Sequence, residues 1–146
     1  MSAPGGPAAG GTAGAAGSAG PTGRSGALTW DDLLDHALAL PGAWRDEPWE
    51  DDTVVKVGDK IFAFLGAPPA DGERAGVGVK CGTRAEADEW VDEFPDDAAP
   101  SAYIGRYGWN RLQLGGAIPD DQVLEAVTSS YEQVVARLPR SRRPPS

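Results

Sequence analysis

Apolar positions recur along this chain in two rhythms, one helical and one alternating, and the switches between them outline a single folded unit. Trp30, Leu33, Leu34, Ala37 and Leu38 return at helical spacing behind Thr29, whose acidic partner Asp32 stands three residues on, and Pro41-Gly42 ends the run. An acid-rich loop is expected over Arg45 to Asp52. Two β-rich runs follow, Thr53 to Val57 and Lys60 to Leu65, joined by the two-residue hairpin signal Gly58-Asp59. Gly66 to Ala75 reads as a flexible connection and Gly76 to Cys81 as a third strand. Thr83 and Glu86 form a capping box for a second helix with the stripe Ala87, Trp90, Val91 and Phe94, closing near Pro95. Tyr103 to Leu114 is predicted to be a fourth strand. Pro119, with Asp120 and Asp121 in the first turn, opens a last helix striped by Leu124, Val127, Tyr131, Val134, Val135 and Leu138. Three helices with an antiparallel sheet of about four strands predict an α+β two-layer sandwich, because segregated helices cover one sheet face.

Alternation across the hairpin puts Val55, Val57, Phe62 and Phe64 on one face and Val54, Ile61, Ala63 and Leu65 on the other, so both faces read as apolar. Either the sheet is covered on both sides, by a second copy for instance, or its open face takes an apolar planar ligand.

Composition divides the 146 residues into three parts. Residues 1–26 are nearly all Gly, Ala, Ser, Pro and Thr, and a segment with so little to bury is expected to be a disordered tail. Its glycines interrupt every apolar run that a secretory signal would need. Residues 27–139 hold the folded domain and 140–146 a short basic Pro/Arg tail. No stretch approaches the roughly 18 apolar residues of a membrane span, so a soluble cytoplasmic protein without a membrane partner is the expectation. Cys81 is the single cysteine, which excludes an intramolecular disulfide and a cysteine-cluster metal site.

Charge sharpens the question of a ligand. Between Ala27 and Leu138 lie nine basic and 22 acidic residues, a balance of −13, so a polyanion has to be met by a local basic face. The C-terminal third supplies one, with six arginines and four acids from Pro100 to Arg143. Arg106, Tyr107, Trp109 and Arg111 place cations and flat aromatic rings close together, the groups that meet phosphates and stack on planar ligands. Lys56, Lys60 and Lys80 fall in strands that can lie alongside them and complete a cationic face. Each has an ordinary reading too. Strand lysines guard a sheet against edge pairing, and strand aromatics pack cores.

The order Pro41-Gly42-Ala43, Pro48-Trp49, Val55-Lys56-Val57-Gly58-Asp59-Lys60-Ile61-Phe62-Ala63, Val79-Lys80-Cys81, an aromatic-basic run ending in Trp109, then Ser130-Tyr131 and Val134-Val135-Ala136-Arg137-Leu138-Pro139 resembles the MmcQ/YjbR family. The resemblance spans about Leu28 to Arg140. It implies a fold like that of the frataxin homologue CyaY and a DNA-binding role in which strands and their turns act as wings. Where many relatives are richer in His, Asn and Lys before the tryptophan, this chain has Gly105-Arg106-Tyr107-Gly108. With DNA as the implied partner, the contacts would come from Lys56, Lys60, Lys80, Arg106 and Arg111, with stacking by Tyr107 or Trp109 and help from Arg140 to Arg143.

Two other classes stay open. A small planar molecule or a protein partner suits the aromatic sheet face. Divalent cations suit the acids Asp31, Asp32, Asp35, Glu47, Glu50, Asp51 and Asp52, a frataxin-like ridge where Asp32 and His36 are four apart; the same residues also serve as the solvated side of a helix. No metal or other cofactor is assigned. An enzyme is not expected: neither Ser101, Ser129 nor Ser130 sits in a nucleophile turn, Cys81 reads as core, and Gly76 and Gly78 lack a phosphate-loop continuation.

Overall fold

The computed structural model describes residues 28–50 and 52–144, so the tail expected over residues 1–26 lies outside the described residues. The helices are α1 (Trp30–Leu38), α2 (Arg84–Glu93) and α3 (Asp120–Ala136). The strands are β1 (Ala43–Trp49), β2 (Asp52–Val57), β3 (Lys60–Gly66), β4 (Gly76–Lys80), β5 (Ala98–Pro100) and β6 (Trp109–Gln113), and they form one antiparallel sheet in the order β1-β2-β3-β4-β6-β5.

Local chemistry starts the helices where the sequence predicts. Thr29 accepts from the Asp32 amide at 3.1 Å while the Asp32 carboxylate accepts from the Thr29 amide at 2.8 Å. Thr83 and Glu86 repeat the box at α2, and Glu86, held by the Thr83 amide and hydroxyl, titrates below an ordinary glutamate. At the head of α3, Asp120 accepts from the Leu28 amide at 3.1 Å and ties the segment before α1 to α3.

The core lies between the helices and one sheet face, where Leu33, Phe62, Val77, Val79, Leu112, Val123 and Val127 are fully buried. Phe62 meets the Tyr131 ring edge-on at 5.3 Å, and removing a buried phenylalanine of this kind costs about 3–5 kcal/mol. The buried Ser130 hydroxyl accepts from the Lys80 amide at 2.9 Å and donates to the Phe62 carbonyl at 2.7 Å, fixing α3 against β3 and β4 together.

Several expectations change. The acid-rich loop is the edge strand β1, paired Ala43 to Val57 and Asp46 to Val54. An edge strand needs partners on one side only, and its charges and Pro48 guard the free side, so a β-poor composition conceals it. With β5, it raises the sheet from about four strands to six. Tyr103 to Leu114 is not one strand. It comprises a turn, a 3₁₀ helix at Gly105–Tyr107 and then β6, because Gly108 takes φ +90° and breaks the extended run. The hairpin keeps its two-residue turn, Val57 opposite Lys60, but a bulge at Phe62 shifts the pairs to Lys56–Ile61, Val55–Ala63 and Val54–Phe64. Val55, Val57, Phe62, Ala63 and Leu65 therefore join the core, while Val54, Ile61 and Phe64 take the other face.

Candidate nucleic-acid interface

The end of the sheet where β3 begins and β4 finishes is enclosed by the N-terminus of α2, the 3₁₀ turn and the C-terminus of α3. The groove between them has a volume of about 890 Å³. Its floor is the link Lys80 to Thr83, held in place by α3: the Gly82 amide donates to Gln133 Oε1 at 3.0 Å and Gln133 Nε2 donates to the Lys80 carbonyl at 3.1 Å. The 3₁₀ turn closes onto the same link. The Cys81 amide donates to the Gly108 carbonyl at 2.7 Å, so close an approach that a Cβ on Gly108 would overlap the Gly82 carbonyl oxygen.

Lys60, Lys80, Arg84, Arg106 and Arg137 line this groove against the single carboxylate of Glu86, a local +4 on a strongly acidic body. Lys80 donates to the Gly82 carbonyl at 2.9 Å and to the Tyr107 carbonyl. Burial, then the neighbouring Arg137 guanidinium, pulls its ammonium below the usual lysine value, so like charges are crowded here. Arg84 is also engaged, with Asp88 at 2.8 Å, Asn110 Oδ1 at 3.1 Å and the Gly105 carbonyl. Lys60, Arg106 and Arg137 form no ion pair among the described residues. The Arg106 guanidinium lies over the exposed Tyr107 ring at 4.9 Å, and Trp109 and Ile61 add an apolar patch. Trp109 is held edge-on by Phe64 at 5.5 Å.

Five of the seven residues singled out in the sequence thus come together: Lys60, Lys80, Arg106, Tyr107 and Trp109. They meet at a sheet end rather than on a strand face, since Arg106 and Tyr107 belong to the 3₁₀ turn. Lys56 and Arg111 are elsewhere. Lys56 pairs with Asp46 at 2.8 Å and sits over Trp44, and the exposed Arg111 lies across Gly76 on the open sheet face. Arg84 and Arg137 join the groove without having been singled out. Arg84 has no sequence signal beyond its charge, Arg137 lies in the motif that ends the last helix, and only the packing of α2 and α3 brings the two to β3 and β4.

Two of the three C-terminal arginines are drawn into the fold. Arg143 caps α3 by donating to the Leu138 and Ala136 carbonyls, each at 3.0 Å, and Arg142 faces Asp59 at 3.7 Å. On the acidic side, Asp32 serves the α1 cap and His36 Nε2 meets Thr128 Oγ1 at 2.8 Å, so the two point to different partners; Asp51 lies outside the described residues. No group of three or more metal-ligating side chains gathers among the described residues. Burial pushes the Cys81 thiol up to about 11, and no helix among the described residues is long and apolar enough to cross a membrane.

Known proteins of the same build exist. The Escherichia coli K12 protein named "Uncharacterized protein YjbR" is 31% identical over 118 residues, covering 80% of this chain and 95% of that one, and the O157:H7 protein of the same name matches equally. Among solved structures, Deinococcus radiodurans protein DR2400, described as a DUF419 domain, superposes with a TM-score of 0.70 at 22% identity over 80% of this chain and 86% of that one. A Pseudomonas syringae protein superposes with a TM-score of 0.57 at 16% identity over 70% and 96%. The YjbR family model matches residues 38–133, and with the identity to the Escherichia coli proteins this establishes that the chain belongs to the YjbR family.

Proposed function

We propose that the protein is a non-catalytic binding module that takes the phosphate backbone of DNA in the groove between β3, β4, α2, α3 and the 3₁₀ turn. The observation that carries this reading is the gathering of five cations around one carboxylate on a body of −13. The acidic remainder repels nucleic acid everywhere else, so it restricts docking to the groove as much as the groove attracts it. Phosphates would meet Lys60, Arg106 and Arg137, whose charges are not engaged by carboxylates among the described residues, while Lys80 and Arg84 hold the walls. In the same reading the sandwich is of the CyaY type, with its acidic helix α1 turned to other uses than the groove.

A labelled oligonucleotide followed by fluorescence anisotropy tests the proposal. Micromolar binding that weakens with salt and with Arg106→Ala plus Arg137→Ala is expected. Binding unaffected by that pair of changes would refute it. The groove volume and the Trp109–Ile61 patch also suit a small planar anion, and a mononucleotide that displaces the oligonucleotide would favour that second reading.

A further inference from the structure

Beside the groove, the chain from Ser101 to Tyr107 presents aromatic surface that the fold does not use. Tyr103 is 97% exposed and takes a left-handed φ of +66°, a conformation a tyrosine adopts only against steric cost. Tyr107, in the following turn, is 57% exposed. The segment is nonetheless firmly held. Gly105 donates to the Ser101 carbonyl at 2.9 Å, Ser101 to the Trp109 carbonyl at 2.9 Å, and Arg84 reaches the Gly105 carbonyl. A rigid loop that spends strain on exposing a tyrosine packs nothing by doing so.

Its position gives the exposure a use. Tyr103 borders a shallow depression of about 380 Å³ whose wall includes Arg84 and Arg106, the same two arginines that line the cationic groove, and one carboxylate, Asp88, which is paired with Arg84 at 2.8 Å. The two concavities therefore adjoin across Arg84 and Arg106, and the surface between them leads from Lys60 and Arg137 past Tyr107 and Arg106 to Tyr103. Cations alternate with flat rings along this tract, the combination that tracks a backbone while stacking its bases. Stacking needs bases that are not paired. A duplex keeps its faces inside and offers edges and phosphates only, and it brings about twice the linear charge toward α2, which carries Glu89, Asp92 and Glu93 beyond the Arg84–Asp88 pair.

We infer that this tract selects an unpaired DNA strand over a duplex, with Tyr103 and Tyr107 as its stacking platform. The inference rests on the phosphate-binding reading of the groove and adds to it what lies on the phosphates.

The test uses the full chain and three labelled ligands of about twelve nucleotides: oligodeoxythymidine, a duplex, and a strand of the same length and charge with abasic sites throughout. Oligodeoxythymidine is expected to bind at least about tenfold more tightly than the duplex or the abasic strand, and Tyr103→Ala to remove most of that advantage while Tyr103→Phe keeps it. Equal binding of thymidine and abasic strands, or a duplex that binds as tightly as the single strand, overturns the inference and leaves the groove reading standing. Absence of binding by all three overturns both. Circular dichroism of Tyr103→Ala separates stacking from misfolding, and the abasic strand tests stacking on the unaltered protein.

Discussion

Alanine at Lys60, Arg106 or Arg137 removes a groove cation that has no ion pair among the described residues, and the consequence for salt dependence is calculable. A single strand loses binding with a log–log salt slope of about −0.7 per phosphate neutralised, so three free cations predict a slope of about −2. Raising salt from about 50 to about 200 mM then weakens binding by about 20-fold. Each single substitution lowers the slope to about −1.4 and the loss over the same range to about sevenfold. Lys56→Ala provides the internal control, since Lys56 already serves Asp46 at 2.8 Å and lies outside the groove. Anisotropy titrations at four or five salt concentrations read these slopes directly. Phosphate contact by these three cations is refuted if the three groove variants keep the parent slope, or if Lys56→Ala reduces it as much as they do.

Further predictions concern the frame that holds the groove. Gly108→Ala imposes a left-handed conformation on alanine and overlaps the Gly82 carbonyl, and a destabilisation of at least about 2 kcal/mol, or a Tm lower by about 5 °C or more, is expected in thermal melts. His36, between α1 and α3, is held below the ordinary histidine value of 6.5, chiefly by burial, so its neutral form is the one that fits the fold. Its stability contribution is present above pH 6.5 and is lost as pH falls below it, so Tm measured from pH 7 to 5.5 should drop more for the parent than for His36→Gln; equal drops would contradict this. The Cys81 thiol, raised from 9.0 to about 11 by burial, should alkylate on the order of a hundredfold more slowly than a free cysteine at pH 7.5 and normally in urea.

The elements that were legible in the sequence are those specified by neighbours in the chain. Both capping boxes, the proline and acids opening α3 and the Gly58-Asp59 turn act within a few residues, and each appears where its signal lies. What was concealed depends on partners far away. β1 is a strand because Val54, Val55 and Val57 offer it an edge, not because Ala43–Trp49 favours extension. The bulge at Phe62 reassigns two faces of the hairpin through a single extra residue, which alternation cannot register. At the candidate site, the types of residue were evident but not their assembly. Arg106, Tyr107 and Trp109 stand out through their density, whereas Arg84 and Arg137 join them only because α2 begins and α3 ends at the same rim. Lys56 failed for the opposite reason: an acid on β1, itself unrecognised as a strand, had already claimed it.

On the proposed reading, nucleic acid docks at one place, the cationic end of the sheet. Amide resonances of the nitrogen-15-labelled protein, followed through a titration with unlabelled oligodeoxythymidine, test it most directly. Shifts concentrated at Gly82, Thr83, Arg106, Tyr107, Trp109 and Arg137, with α1 and β1 unmoved, are predicted. Shifts gathered on α1 and β1 instead, or a spectrum unchanged at saturating oligonucleotide, would contradict it.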